Sequence, residues 1–158
     1  MHPIRKAQAR DIPRLLDLLL QVNEIHHQGR PDLFKGPATK YSRQDLLQII
    51  QNDQTPVFVY ADQDTDTVLG YVFCLFKQEI ANPLMTDIKT LYIDDLCVDE
   101  QARGRRIGRA LYEYAVSFAR EKGCYNLTLN VWALNDRALR FYRQCGLTPQ
   151  KIGMEKIL

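Results

Sequence analysis

Apolar residues recur along the chain with two different spacings, which predict two kinds of regular element. Leucine and isoleucine residues three and four positions apart predict a first helix that begins at Asp11 and runs to about Gln28. A second helix follows Ser42, where an acidic residue three positions later resembles a capping box, and it ends near Asn52. Two later segments with helical spacing complete the set, at residues 106–121 and 135–145.

Short apolar runs bounded by turn-forming residues predict strands instead. Six such runs are present, at residues 4–7, 57–61, 68–76, 90–98, 127–131 and 152–158. The element order is therefore β-α-α-β-β-β-α-β-α-β, which predicts an α+β (mixed α/β) domain built around one sheet. Neither an internal repeat nor a Gly/Ser-rich linker divides the sequence, so we expect a single domain over residues 1–158.

Charge, hydropathy and cysteine usage argue against several classes of protein. The 21 basic and 19 acidic residues give a net charge of +2, which offers no argument for a nucleic-acid or membrane partner. No apolar run approaches the roughly 20 residues that span a bilayer. The charged first residues are unlike a signal peptide, so we expect a cytoplasmic protein. The four cysteines are widely spaced without a CxxC pair, so we expect no metal site and favour reduced thiols over a disulfide.

The sharpest local signal is a turn rich in glycine and arginine between a predicted strand and a predicted helix. Its residues are Arg103, Gly104, Arg105, Arg106, Ile107, Gly108 and Arg109. The first turn of a helix carries backbone N–H groups without partners and a partial positive charge, and glycines let a phosphate approach them. Guanidinium groups bind phosphate oxygens two at a time. The turn is therefore a candidate pyrophosphate site.

Other interpretations of this turn are weaker. A solvated basic helix start is the main alternative, but basic residues oppose the helix dipole there unless an anion is bound. The turn is not a Walker A loop, because no Gly-Lys-Ser/Thr follows. It is not a dinucleotide-binding fingerprint either, because the elements predicted before it form a β-meander rather than a βαβ unit. A single-strand nucleic-acid site would need aromatic residues among the arginines, and the turn has none.

The turn resembles the acetyl-CoA motif of the GNAT N-acetyltransferases, whose pattern is Gln/Arg-x-x-Gly-x-Gly/Ala. Arg103 and Gly108 occupy the first and sixth positions, whereas Arg106 replaces the usual glycine at the fourth. A second segment, residues 135–147, is similar to the family's Asn-x-x-Ala-x-x-Phe-Tyr-x-x-x-Gly-Phe. The resemblance covers nearly the whole chain in element order. It implies a GNAT-like, mostly antiparallel central sheet flanked by about four helices, with acetyl-CoA bound at the turn.

The resemblance also implies roles for residues outside the turn. Tyr142 is implied to be the general acid for the departing thiolate and to contact CoA, with a packed core aromatic as the alternative. Asn135 is implied to contact CoA, although an ordinary helix N-cap would look identical. The backbone of Leu96, Cys97 and Val98 is implied to bind the pantetheine arm, with an ordinary paired strand as the alternative.

Two adjacent carboxylates interrupt the same apolar strand. Successive strand residues face opposite sides, so one of Asp94 and Asp95 is expected to point into the cleft and one away. Burial near a like charge would raise the pKa of a carboxyl and make it a candidate base; a water chain, an exposed edge or a salt bridge are the alternatives. Residues 91–95 are similar to the Leu-Tyr-Leu-Glu-Asp of diamine acetyltransferases, which implies a polyamine or another small cationic amine as a candidate acceptor.

In the family, acceptor specificity lies between the first two helices. Polar and aromatic candidates there include His26 and Asp32. The residues that we predict to contact the acceptor are Glu24, His27, Arg30 and Phe34, together with Asp94. The histidines could instead be exposed caps at a helix end, and Arg30 could form a structural pair with Asp32.

These features predict an enzyme that transfers an acetyl group from acetyl-CoA to a primary amine of a small molecule, a protein N-terminus or a lysine. CoA is the expected product, no metal is required, and the amine acceptor is the expected partner, with a homodimer as one expected assembly. The alternative from another class is a non-catalytic acyl-CoA-binding module that senses the coenzyme or recruits a partner.

Overall fold

The computed structural model describes residues 3–158, and this part of the chain contains four α-helices and five β-strands. In chain order the elements are β1 (Ile4–Lys6), α1 (Ile12–Gly29), α2 (Arg43–Gln51), β2 (Val57–Ala61), β3 (Val68–Gln78), β4 (Lys89–Val98), α3 (Ile107–Glu121), β5 (Asn126–Leu129) and α4 (Asp136–Gln144). Short 3₁₀ turns precede α1 and α3. Within residues 3–158, no helix combines the length and the apolar content that crossing a membrane requires.

The strands form one sheet in the order β1-β2-β3-β4-β5. Strands β1 to β4 pair antiparallel with one another, and β5 runs parallel to β4. A parallel pair needs a crossover connection, and α3 provides it. The predicted α+β fold with a mostly antiparallel sheet is thus confirmed. This connection also places the arginine-rich turn at the carboxyl end of β4, beside the opening of the sheet.

Helices pack on both faces of the sheet and create two apolar clusters. On one face, α1 and α2 bury Leu15, Leu18 and Leu46 against side chains of β2 and β3. On the other face, α3 buries Leu111 and Ala115 against side chains of β2, β3 and β4. Each large apolar side chain that is fully buried contributes about 1.5–3 kcal/mol. The apolar helix positions found in the sequence are therefore the positions that hold the layers together.

The prediction of a final strand at residues 152–158 is wrong for this structure. No backbone hydrogen bond joins this segment to another described residue, and its apolar side chains are exposed. A strand is stable only where a neighbouring strand satisfies its backbone groups, and none of the five strands in residues 3–158 pairs with this segment. The other predicted elements are present, with bounds shifted by one or two residues.

Candidate active site

A cleft opens where β4 and β5 separate. The two strands pair up to Ile93 and Leu129, after which β5 ends while β4 continues to Val98 without a neighbour on that side. The cleft has a volume of about 1260 Å³ and lies between the end of α1, the start of α3 and the side of α4. The unpaired edge of β4 can therefore donate and accept backbone hydrogen bonds with an extended ligand, as an added strand would.

A β-bulge at Asp94 determines how the acidic pair faces the cleft. Phe73 of β3 lies opposite Asp95 and Cys74 lies opposite Ile93, so Asp94 is the extra residue in β4. A bulge re-aims the side chains around it, and both carboxylates line the cleft. The expectation that one of them would point away, based on strict alternation, is therefore wrong. The signal that alternation had been interrupted is not visible in a single strand, because a bulge is defined by its partner.

The Asp95 carboxyl is shielded from solvent, and the Tyr71 hydroxyl and the Leu96 backbone amide both interact with it. Its Oδ2 accepts a hydrogen bond of 2.7 Å from the hydroxyl of Tyr71, which is itself fully buried. Burial raises the pKa of Asp95 to about 6, although the Tyr71 hydroxyl and the charge of Lys40 oppose that rise. A carboxyl with this pKa is ionised near neutral pH and still accepts a proton readily, which suits a general base.

Asp94 holds the loop between α1 and α2 against the sheet. Its carboxylate accepts a hydrogen bond of 2.5 Å from the Tyr41 hydroxyl, and the Lys40 ammonium lies 2.8 Å from its other oxygen. Burial and the Asp94 carboxylate raise the pKa of Tyr41, so this phenol stays protonated and keeps donating. A primary ammonium thus already lies beside Asp94, at the mouth of the cleft.

Tyr142 faces the same cleft from α4. Its ring packs edge-on against Phe141, with ring centres 5.1 Å apart, and no residue from 3 to 158 hydrogen-bonds its hydroxyl. Burial, together with the nearby charge of Asp95, raises the pKa of Tyr142 above its usual value. The phenol is therefore protonated at neutral pH, in the state that a proton donor needs.

The arginine-rich turn presents a run of unpaired backbone amides. No oxygen of residues 3–158 accepts a hydrogen bond from the N–H groups of residues 103–109, and no side chain caps α3. Gly104 has φ +80°, and Arg106, the N-cap of α3, is also left-handed at φ +61°. The Arg106 position is therefore one that favours glycine, which gives a physical reason for the glycine in the family's pattern.

The arginines of the turn have different surroundings. Arg103, Arg106 and Arg109 line the cleft, and Arg109 also donates to Glu113 at 2.9 Å. Arg105 is exposed and does not line the cleft, although its sequence position suggested that it would. Its charge instead helps to lower the pKa of an aspartate in the turn between β2 and β3.

Gly108 sits where α3, β4 and α4 meet. A Cβ built there would lie 3.5 Å from a methyl of Val98 and 3.7 Å from the ring of Phe141, which is ordinary contact. Ile107, one residue earlier, borders the cleft, and its side chain is buried in the apolar cluster between α3 and the sheet. These two residues therefore fix the start of α3 against β4.

The predicted coenzyme residues of β4 and α4 also line the cleft, with different uses of their side chains. Leu96 and Val98 pack towards α3, whereas Cys97 is buried towards α1 and its thiol lies 3.7 Å from the Leu18 carbonyl. Asn135 is the N-cap of α4, and its Oδ1 accepts a hydrogen bond from the Ala138 amide at 3.1 Å. Its side-chain amide group is left over for another contact.

Of the residues predicted to contact the acceptor, Phe34 and Asp94 line the cleft, whereas Glu24, His27 and Arg30 do not. Glu24 accepts a hydrogen bond from Gln28 one helical turn along α1. The His27 ring lies 2.7 Å from the Phe34 carbonyl. Arg30 pairs with Asp32 and Glu155. Glu24 is thus paired within α1, whereas His27 and Arg30 are engaged with residues that follow the helix, so the structure does not bring these three side chains into the cleft.

Three side chains that contact the acidic pair were not predicted from the sequence, namely Lys40, Tyr41 and Tyr71. His26, a candidate from the sequence, also lines the cleft. Burial and the charge of Lys40 lower the pKa of His26. Lys40 and Tyr41 arrive through a loop, and Tyr71 through a neighbouring strand, so no local spacing connects them with the acidic pair. Within residues 3–158, no three carboxylate, histidine or cysteine side chains group as metal ligands.

Comparison with known proteins assigns this chain to one protein family. Residues 19–147 match the model of the acetyltransferase (GNAT) family. The solved structure of a mutant of the Bacillus halodurans protein BH1408 is 33% identical, covers 98% of both chains and has a TM-score of 0.93. Glucosamine 6-phosphate N-acetyltransferase of Arabidopsis thaliana is 31% identical over 99 residues, which are 54% of this chain and 64% of the relative.

A third relative, the streptothricin acetyltransferase of Streptomyces lavendulae, is 43% identical over 56 residues, which are 35% of this chain and 30% of the relative. The matched stretches thus cover less than two thirds of the length of these curated relatives. The family model, in contrast, spans most of the chain, from the middle of α1 through the splayed strands and the arginine-rich turn to the end of α4. The chain therefore belongs to the GNAT acetyltransferase family.

Proposed function

We propose that this protein is an N-acetyltransferase that moves an acetyl group from acetyl-CoA to the primary amine of a small cationic molecule. The observation that carries the proposal is one cleft with unpaired amides at the start of α3, an unpaired strand edge beside them, and a carboxylate and a phenol further in. The amides suit the diphosphate of the coenzyme, and the strand edge suits its extended arm. The carboxylate and the phenol lie where the thioester would meet the acceptor amine.

The donor end of the cleft fits a diphosphate followed by an amide-containing arm. Seven consecutive N–H groups, from 103 to 109, have no acceptor within the described chain. They lie at the positive end of the α3 dipole, where anions are stabilised. Arg103 and Arg109 add guanidinium groups at the same place. Residues 94–98 of β4 then offer backbone groups to the amides of the arm.

The inner end of the cleft has the two proton-transfer groups that amide formation requires. An ammonium has no lone pair, so Asp95 first removes a proton from the acceptor, for which its pKa of about 6 is suited. The bound thioester supplies the acetyl group, and the new C–N bond replaces the C–S bond. Tyr142 then gives its proton to the departing sulfur, since a phenol with a raised pKa is fully protonated beforehand. The second proton leaves the acceptor nitrogen as the amide forms and restores the Tyr142 phenol.

The acceptor end favours a compact cation over an anion. Asp94 and Asp95 are adjacent, and Lys40 already places a primary ammonium 2.8 Å from Asp94. Phe34 and Trp132 pack edge to face, with ring centres 5.0 Å apart, and give this end an apolar wall. Glucosamine 6-phosphate and streptothricin, named for two relatives, show that related proteins act on small molecules. We therefore place polyamines and amino sugars ahead of protein N-termini as acceptors.

The test is release of the CoA thiol from acetyl-CoA in the presence of polyamines, amino sugars and their phosphates, aminoglycosides, amino acids and peptides. We expect turnover with at least one small cationic amine, and a raised KM for that amine in Asp94→Asn. Asp64, an exposed carboxylate in the β2–β3 turn, provides the matched control. Asp64→Asn should leave kcat and the KM for the amine unchanged.

Two outcomes would contradict the proposal in different ways. Binding of CoA by calorimetry without turnover of any amine would favour a coenzyme sensor, because the donor end would then function alone. Absence of CoA binding would reject the donor site itself and the catalytic interpretation with it.

A further inference from the structure

Lys40, in the loop between α1 and α2, brings a primary ammonium to the acceptor end of the cleft. Its Nζ lies 2.8 Å from Oδ1 of Asp94, and its side chain is 49% exposed. Its charge also acts on Asp95, where it opposes the rise of the carboxyl pKa. The ammonium therefore lies where the proposed mechanism needs an acceptor amine, close to the carboxylate that is expected to remove its proton.

The residue after Lys40 fixes it in this place. The Tyr41 ring stacks on Phe73 of β3, with ring centres 5.8 Å apart, and its hydroxyl donates a hydrogen bond to Oδ2 of Asp94. The Lys40 ammonium lies 5.5 Å from the centre of the same Tyr41 ring. The end of the loop is thus anchored to the sheet beside the acidic pair, so the amine is held at that pair.

Two other lysines each have only one of the two features that Lys40 combines. Lys35 also lines the cleft, but no carboxylate of residues 3–158 forms an ion pair with it. Lys6 forms an ion pair with Asp53 at 3.4 Å, but it does not line the cleft. Within the described chain, Lys40 is therefore the lysine that has both a carboxylate partner and a place in the cleft.

We propose that Lys40 is itself acetylated by this protein when acetyl-CoA is bound and no external amine occupies the acceptor end. This modification site rests on the proposed function, because it uses the same donor site and the same two proton-transfer residues. An amine that is already held in the site reacts in an effectively unimolecular step, which is faster than attack by a free amine from solution.

The step is the proposed acetyl transfer with the Lys40 side chain as the acceptor. Asp95 takes one proton from the Lys40 ammonium, and Nζ then forms a C–N bond to the acetyl carbon while the C–S bond breaks. Tyr142 donates its proton to the departing sulfur, and a second proton from the nitrogen restores the phenol. The products are free CoA and a neutral acetyl-lysine, so the ion pair between Lys40 and Asp94 is lost.

The test is incubation of the full chain with acetyl-CoA that carries a deuterated acetyl group, without an added amine, followed by tryptic digestion and mass spectrometry. Trypsin does not cleave after an acetylated lysine, so the modification should leave residues 36–43 as one labelled peptide. We expect Lys40 to gain the label at least about tenfold faster than Lys6 or Lys35.

Three variants separate this reaction from chemical acetylation by free acetyl-CoA. Lys40→Arg keeps a cation beside Asp94 but has no amine to acetylate, so total labelling should fall to the background rate. Lys35→Arg is the matched control within the cleft and should leave total labelling unchanged. Asp95→Asn, with its fold checked by CoA binding, should slow labelling of Lys40 about a hundredfold and leave the background at Lys6 unchanged.

The rate of labelling per chain should not change when the protein is diluted about tenfold, because donor and amine belong to one molecule. A rate per chain that falls on dilution, or equal labelling of Lys40 and Lys6, would overturn the proposal. Turnover of an added amine without labelling of Lys40 would reject the modification and leave the proposed function standing. Absence of both reactions in a chain that binds CoA would reject the two together.

Discussion

Asp95 and Tyr142 approach the reacting end of the cleft from different elements, and their surroundings shift both pKa values upward. In the proposed mechanism, this shift makes the Asp95 carboxyl a base that works near neutral pH. It also keeps the Tyr142 phenol protonated until the departing thiolate forms beside it. Each of these two residues therefore yields a prediction that a purely structural role would not.

Asp95→Asn tests the raised carboxyl pKa through activity. In the unchanged protein, kcat/KM should rise with pH through about 6 and then level off, because only the ionised form accepts the proton. The variant should lose at least about a hundredfold in kcat/KM and should lack this limb of the pH profile. An unchanged limb in a slower variant would assign the titration to another group.

The same substitution should increase stability, with a defined pH dependence. Because the pKa is higher in the folded state than in the unfolded state, the folded chain binds the proton more tightly, and stability falls as pH rises from about 4 to 6. Asp95→Asn removes this loss, so urea unfolding should show a gain of about 1–3 kcal/mol at pH 7 that vanishes near pH 4. A gain that is equal at both pH values would contradict the explanation.

Tyr142→Phe tests the proton donor. The phenyl ring keeps the contact with Phe141 and the burial in the cleft, so CoA affinity should change by less than about threefold. Turnover should fall about a hundredfold, a typical loss for a general acid. Calorimetry measures the Kd for CoA, and thiol release measures turnover. A fully active Tyr142→Phe variant would show that Tyr142 is not the proton donor.

At the scale of elements, the start of α3 shows what a sequence reveals and what it hides. The strand–turn–helix order and the run of arginines were sufficient to predict an anion site at this helix start. The left-handed backbone of Arg106 was not predictable, because arginine gives no local signal for positive φ. The capping box of α2 was predictable, since Ser42 and Asp45 signal it within four residues, and both of its hydrogen bonds form.

Arg106→Gly tests the backbone conformation of this turn. Glycine adopts φ +61° without the steric cost of a Cβ, while it also gains freedom in the unfolded chain. The net expectation is a stability gain of about 0.5–1 kcal/mol by urea unfolding. Arg106→Ala keeps the Cβ and should show no such gain. Equal stability of the two variants would show that the left-handed backbone at this position is not strained.

Arg103 and Arg105 form a matched pair for the electrostatics of the turn. Only Arg103 lines the cleft, whereas Arg105 is exposed and directed towards the β2–β3 turn. Arg103→Ala should weaken CoA binding about tenfold, since a charge-assisted hydrogen bond contributes about 1.5–3 kcal/mol. Arg105→Ala should change it less than about twofold. Equal losses in calorimetry at one salt concentration would indicate a diffuse field rather than a specific contact.

For the whole molecule, the limits of sequence reasoning follow from which contacts are long-range. Helix and strand periodicities located nine of ten predicted elements, because each depends on residues near in sequence. The tenth, at 152–158, is not a strand among the described residues, because none of their strands pairs with it, and pairing of this kind is not encoded in a local pattern. The same limit explains the acceptor end, where a bulge seen only in register and a distant loop decide what surrounds Asp94 and Asp95.

The central claim is that the free amides of residues 103–109 bind the diphosphate of CoA. The most direct measurement is an NMR titration of the ¹⁵N-labelled chain with CoA, and with pantetheine, which has no diphosphate, as the control. The account predicts that CoA shifts the amides of 103–109 most strongly and that pantetheine shifts residues 94–98 but not the turn. Saturable CoA binding that leaves the amides of 103–109 unshifted would contradict it.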